Sequence, residues 1–297
     1  MTQRDSKTMQ PEKQRAHGKD SAVSEAIGFI IIFGIIIAGI GLVTLYGYPM
    51  LVQQQSSSNE QIMEKNMIVL QNDLKSIAYK TVPYTETSLN VGGGALTVYN
   101  MTYNNATQSN FTISSRNYNP STNIGIPSPV YVTTGDLRYE STSEQTGLSL
   151  ENGAVVKRML AESGSSMLAT PRWYYDSQTN TAVIYLIGFI TPSTDIMSQE
   201  GVGTVKMDLV LTNYTQYQVG GPTDSNDALF VKYLPSNDAN YSAAWGNYFM
   251  GTLNMVPYSY DGNPGEYEWL GPDAPQQIPA SGVTVVIYQY EVAIDEI

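Results

Sequence analysis

A run of twenty uncharged residues, Ala26–Leu45 (AIGFIIIFGIIIAGIGLVTL), constrains this chain more than any other feature. No Asp, Glu, Lys or Arg stands between Glu25 and Glu60. At about 1.5 Å per residue, a helix of that length covers roughly the 30 Å hydrocarbon core of a bilayer. A helix buried in a globular core usually keeps a polar stripe, which this run lacks. The pattern predicts one membrane-spanning helix near the N-terminus, with the rest of the chain on one side of the bilayer.

Arg4, Lys7, Lys13, Arg15 and Lys19 precede the run, against Asp5, Glu12 and Asp20, and the next basic residue is Lys65. Basic residues stay on the cytoplasmic side, so residues 1–20 are predicted inside and 46–297 outside. The outer part carries 10 Lys and Arg against 23 Asp and Glu, a net charge of −13. Such a surface excludes nucleic acid as a partner and is repelled by anionic headgroups. Charged residues are only 14% of the chain, so the surface is mostly neutral-polar. With no cysteine, stability outside the cell cannot rest on disulfides, and thiolate-ligated metals are excluded.

An ordinary secretory signal has a short apolar core and a small-residue cleavage site after it. Here the apolar run is longer and is followed by Tyr46-Gly47-Tyr48-Pro49. A polar, basic segment, Arg15–Asp20, leads into it, and one carboxylate, Glu25, stands at its threshold. The arrangement resembles the class III signal peptide of type IV pilins and archaellins, and Ala22-Val23-Ser24-Glu25-Ala26-Ile27-Gly28-Phe29 is similar to the N-terminal signature of archaeal pilin-like proteins. The resemblance implies a peptidase cut between Asp20 and Ser21, just after Lys19, that leaves the helix on the mature protein. It also implies a prepilin peptidase, a membrane platform and a secretion ATPase as partners, and homotypic or other pilin subunits in a filament core. A carboxylate at the edge of the bilayer is costly unless paired. Glu25 can meet the new N-terminal ammonium of its own or a neighbouring chain, or act as a plain N-terminal helix acid.

Gly34, Ala38 and Gly41 form one small-residue face, the kind that lets helices approach closely in lipid. Pro49 suits a kink or an end of the span. Beyond the polar stretch Gln53–Asn59, Met63, Met67, Leu70, Leu74 and Ile77 repeat at spacing 4-3-4-3, a narrow apolar seam. The seam fits packing onto the protein's own β domain or onto neighbouring helices. Ser58 followed by Gln61 fits a capping box, and the pilin resemblance implies one long helix with its hinge at the polar stretch 53–59.

From Val82 onward the pattern turns to period two. Ala95–Tyr99, Phe111–Ser114, Val130–Thr133, Ala182–Ile190, Thr204–Thr212, Ala228–Leu234 and Val283–Ala293 read as strands between Gly, Pro, Asn and Asp clusters. Trp173–Tyr175 and Ala182–Ile190 read as a hairpin, and Tyr241, Trp245, Tyr248 and Phe249 as one short amphipathic helix. The expected class is α+β: a cytoplasmic leader over 1–20, a transmembrane helix over 21–49, an amphipathic stalk helix over 50–80, and an extracellular, mostly β region over 81–297. That last region is expected to be antiparallel and sandwich-like, as one domain or two.

Little here does chemistry. His17, the one histidine, lies in the leader, which removes Ser-His-Asp and Cys-His systems and most zinc sites from the outer part. Glu266 and Glu268 form an acidic-aromatic strip with Tyr267 and Trp269, read as a solvated strand edge rather than a catalytic pair. Asp224, Asn226 and Asp227 lack the glycine and distal glutamate of a calcium loop and read as a turn. Gly92-Gly93-Gly94 reads as a turn, not a phosphate loop. No catalytic, metal or cofactor site is expected. Five Asn-x-Ser/Thr sequons occur, at Asn100, Asn105, Asn110, Asn213 and Asn240; the first three would decorate one exposed segment. The expectation is a membrane-anchored surface protein, a filament subunit or a monomeric binding module, with no enzymatic activity.

Overall fold

The computed structural model describes residues 18–80, 82, 84–102, 108–143, 145–162, 164–192, 196–222, 224, 226–258 and 265–297. The chain forms two compact units, 1–55 and 56–297. In the first, α1 (Gly18–Leu42) leads into a π-helical turn over Val43–Gly47, followed by the start of α2 (Tyr48–Lys80). The wide turn has a covalent cause. Pro49 has no N–H to donate and its ring crowds the carbonyl of the preceding turn, so the helix loosens there and the Tyr48 N–H reaches back five residues to the Val43 carbonyl. Thr44 Oγ1 donates to the Ile40 carbonyl at 2.9 Å and closes the polar account of that segment. Helix α2 runs without a break through Gln53–Asn59. Those residues are helical throughout, so Ser58 and Gln61 cap nothing; Gln and Ser are tolerated inside a helix once its flanks are committed.

The second unit contains the remainder of α2 and two sheets. Its strands are β1 (Tyr84–Tyr99), β2 (Asn110–Ser115), β3 (Tyr118–Asn119), β4 (Ile124–Gly125), β5 (Val130–Thr133), β6 (Asp136–Ser141), β7 (Thr146–Glu151) and β8 (Ala154–Met159). They continue as β9 (Ser165–Ala169), β10 (Tyr174–Asp176), β11 (Thr181–Ile190), β12 (Met197–Val219) and β13 (Leu229–Leu234). After the helix α3 (Ser242–Gly251) come β14 (Val256–Pro257), β15 (Glu266–Leu270) and β16 (Val283–Glu296). The large sheet runs β10-β11-β16-β12-β1-β6-β7-β8-β9, with β3 and β4 attached beside β12, and the small one β14-β15-β13-β2-β5. Most pairs are antiparallel; β11 and β16 run parallel, as do β12 and β4. The architecture is a long apolar helix followed by a mostly β domain.

Two cores explain the sequence pattern. One gathers Ala182, Ile184 and Leu186 of β11, Phe111 and Ile113 of β2, Val231 of β13, and Trp245 and Phe249 of α3. The other gathers Ile187 and Phe189 of β11, Leu96 and Val98 of β1, and Val292 and Ile294 of β16, together with Met63, Met67, Leu70, Leu74 and Ile77. β11 contributes to both cores, which is why it reads as an almost continuous apolar run rather than an alternation. The seam of α2 is thus covered by the protein's own sheet and is closed to a neighbouring helix. Each of its side chains contributes roughly 1.5–3 kcal/mol by leaving water. Gln71, buried in the same interface, donates through Nε2 to the carbonyls of Gly153 at 2.7 Å and Thr170 at 2.9 Å.

The Gly92–Gly94 run is not a turn. It lies inside β1 as a bulge: Val91 pairs with Gly201 and Leu96 with Gln199, so four residues on one strand oppose one on the other. A Cβ on Gly94 would stand 2.4 Å from the Glu140 carbonyl oxygen, which is why glycine is needed. Tyr139 and Ser141 donate hydroxyls to the carbonyls of Gly92 and Gly93, both at 2.7 Å, and hold the bulge.

Candidate functional site

The surface most in need of a partner is α1 with the first turns of α2. The helix carries an 18-residue window of mean hydropathy 2.9, none of it buried, and is long and apolar enough to cross a membrane. Phe29, Ile35 and Leu45 are about 70% exposed, and every large apolar side chain from Ile27 to Val52 is exposed. An uninterrupted apolar surface of this size marks a membrane or protein contact. Glu25, at its start, is exposed as well. A Cβ placed on Gly34 or Gly41 would meet nothing within 4 Å, so the small-residue face with Ala38 is open. Lys19, Asp20 and Ser21 fall in α1 by backbone; their side chains, His17 and residues 1–17 lie outside the described residues.

The sequons separate sharply. Asn100 is buried, its Nδ2 donating to Thr191 Oγ1 at 3.0 Å while its Oδ1 accepts from the Thr102 N–H and hydroxyl. Asn110 is buried in β2. Asn105 lies outside the described residues. The expected exposed segment bearing three glycans is therefore overturned for Asn100 and Asn110, both of which are buried. Asn213, at a register shift in β12, and Asn240, just before α3, are exposed. In an N-glycosylating host, Asn213→Gln and Asn240→Gln should each remove one glycan mass, and Asn100→Gln none, by intact mass spectrometry.

Glu266 and Glu268 are not a solvated edge. β15 lies between β14 and β13, and Glu268 is fully buried, paired with Arg116 at 3.1 Å and accepting the Asp273 N–H at 2.9 Å. Arg116 also sits 5.6 Å from the Phe230 ring centroid, in a cavity of about 690 Å³ lined by Ser114, Tyr258, Glu266 and Asp273. Asp227 accepts the backbone N–H groups of Asn117, Gly220 and Ala228, so the Asp224–Asp227 loop is a turn organised by one carboxylate.

Two polar groups sequence reading missed lie in β6 and β7. Arg138 forms a fork to Asp136 at 2.9 and 3.1 Å and lies 4.2 Å from the Tyr99 ring centroid, with Ser149 donating to Asp136 at 2.6 Å. Nearby, fully buried Glu151 accepts from Ser109, from Trp245 Nε1 at 2.7 Å and from Tyr233. Burial, and then the negative Asp136, push its carboxyl up to about 7, against the hydrogen bonds that favour its charged form. Both groups are sealed from solvent and serve the fold. Among the described residues no cluster of three His, Cys, Asp or Glu could hold a metal.

Comparison with curated proteins and with solved structures gives no match. A family model does match, over residues 22–256, spanning the apolar helix, the strands from β1 to β13 and α3. That match covers most of the molecule, and the chain accordingly belongs to DUF7289, a family of unknown function.

Proposed function

We propose that this protein is a membrane-anchored structural protein of the cell surface, a major or minor subunit of an archaeal type IV pilus-like filament with an adhesive role open to it. The observation that carries the reading is the stretch of α1 from Ala26 to Leu42: apolar on all sides and facing no partner among the described residues, with an exposed Glu25 at its threshold. Before assembly the helix sits in the bilayer with its basic N-terminus in the cytoplasm. After removal of the leader it packs in a filament core, small-residue face to neighbouring helix. The β domain, two sheets stacked in a sandwich-like manner, is displayed outside. Prepilin peptidase, the assembly machinery and other pilin subunits are its partners, beside lipid. It catalyses no reaction; the outer part has neither His nor Cys, and its buried carboxylates are engaged by Arg116, Arg138, Ser109, Tyr233 and Trp245.

One observation favours a second reading, a monomeric surface protein that keeps the anchor. The α2 seam is spent on the protein's own sheet, which leaves only the residues before it for assembly. Cysteine at Gly34, on the open face, and at half-exposed Val69 distinguishes the two. Oxidation should give multimer ladders from a filament and none from an anchor, with negative-stain microscopy of the cells beside it. A mature N-terminus that keeps Lys19 by mass spectrometry would end the processing claim.

A further inference from the structure

The face of the large sheet that carries the α2 seam continues past it as a cluster of tyrosines. Register brings them together: Tyr185 of β11 pairs with Tyr288 of β16, which pairs with Tyr214 of β12. The row spans two strand spacings, about 10 Å. The Tyr185 and Tyr288 rings are 5.0 Å apart and 10° from parallel, and Tyr290, one rung along, lies 6.2 Å from Tyr288 at 14°. Tyr79, near the end of α2, meets Tyr185 edge-on at 4.7 Å. The rings cover one another's faces; Tyr185 is buried, Tyr79, Tyr288 and Tyr290 are half-buried, and Tyr214 is exposed.

Arg172 stands over this cluster. Its guanidinium is 4.7 Å from the Tyr79 ring centroid and 5.8 Å from that of Tyr185. The position is built. Pro171 before it is buried, and buried Trp173 after it donates Nε1 to the Tyr185 carbonyl at 2.7 Å, pinning the segment across β11. Among the described residues Arg172 has no carboxylate partner, unlike Arg116, Arg138 and Arg158. The hydroxyls of Tyr79, Tyr185, Tyr288 and Tyr290 likewise have no hydrogen-bond partner among the described residues, while Tyr214 donates to Gln216 at 3.1 Å. In a chain of net charge −12, an exposed arginine without an acid beside it is unusual.

We propose that this Tyr-Arg face binds an acidic polysaccharide, one with hydroxyls throughout and carboxylates at intervals. Phenol groups both donate and accept, which matches a polyol, and the guanidinium fork matches a carboxylate. The acidic remainder of the surface repels polyanions in general, so what selects this ligand is the local match of its hydroxyls and carboxylates to the phenols and to Arg172, not its total charge. Because the ring faces are mutually covered, recognition runs through hydrogen bonds rather than sugar-on-ring stacking. The inference holds for a filament subunit and for a monomeric anchor alike.

The test is titration of the detergent-solubilised full chain with polygalacturonate, dextran and polyglutamate. Polygalacturonate should bind about tenfold or more tightly than dextran, and Arg172→Gln should remove that preference, the effect expected of one charge-assisted fork. Tyr288→Phe, which keeps the ring stack and deletes one hydroxyl, should weaken binding about threefold with an unchanged melting temperature. Equal binding of polyglutamate would make the face an acidic-peptide site and overturn the proposal. So would wild-type protein that does not bind polygalacturonate, or Arg172→Gln and Tyr288→Phe variants that bind it unchanged.

Discussion

Glu151→Gln should make the β domain nearly insensitive to pH between 4.5 and 7.5, whereas the wild-type domain loses about 3 kcal/mol over that interval. The folded carboxyl titrates at about 7 against an ordinary 4.5, chiefly because it is fully buried and then because Asp136 is near. The folded state therefore holds the proton more tightly than the unfolded one. Stability is full below about pH 4.5, falls as pH rises toward 7, and stays reduced above it. Glutamine preserves the size, an oxygen that accepts from Trp245 and an NH2 group that can donate to the Ser109 and Tyr233 hydroxyls, without a charge to bury. Urea unfolding of the wild type and the variant at pH 5 and pH 8 checks this. The wild-type midpoint should fall markedly at pH 8 and the variant midpoint should not; parallel losses in both proteins would refute it.

Glu25→Gln should abolish filaments while leaving membrane insertion intact. Insertion follows from the apolar run, which the change does not touch. If Glu25 neutralises the ammonium of an adjoining subunit, its loss strands that charge near apolar surroundings at a cost on the order of several kcal/mol. In a plain anchor the same change removes at most about 1 kcal/mol of helix-dipole interaction. The ratio of sheared filament to membrane-bound protein, in wild type and variant, measures the difference. An unchanged ratio in cells that do assemble this protein would end the charge-pairing role.

What could be read from sequence tracks how local the determining physics is. The span Ala26–Leu45 needs only its own composition, and the spacing of Met63, Met67, Leu70, Leu74 and Ile77 marks one helix face whatever covers it. β11 and β16 announce themselves through aliphatic runs because they are buried in the middle of the large sheet. The meander β6–β9 was not legible. Asp136, Arg138, Ser149 and Glu151 interrupt its apolar pattern, and they are buried because they satisfy one another or partners far along the chain. Glu268 looked solvated for the same reason: Arg116, which pairs with it, is 152 residues away. The Tyr-Arg face was equally hidden, since Tyr185, Tyr214 and Tyr288 become neighbours only through a parallel and an antiparallel register.

The placement of β16 carries a consequence for how the protein is made. Residues 283–296 fill the slot between β11 and β12, parallel to one and antiparallel to the other. As the chain emerges, both cores stay open until residue 296 has been added, because Val285, Ile287, Val292 and Ile294 belong to them. Under the proposed function, the anchor enters the bilayer well ahead of a domain still lacking its central rung. Until then the facing edges of β11 and β12 are bare templates for any extended segment, the condition that invites mispairing and chaperone capture. On that reading, the membrane holds the chain in place during the interval when its fold is least defended.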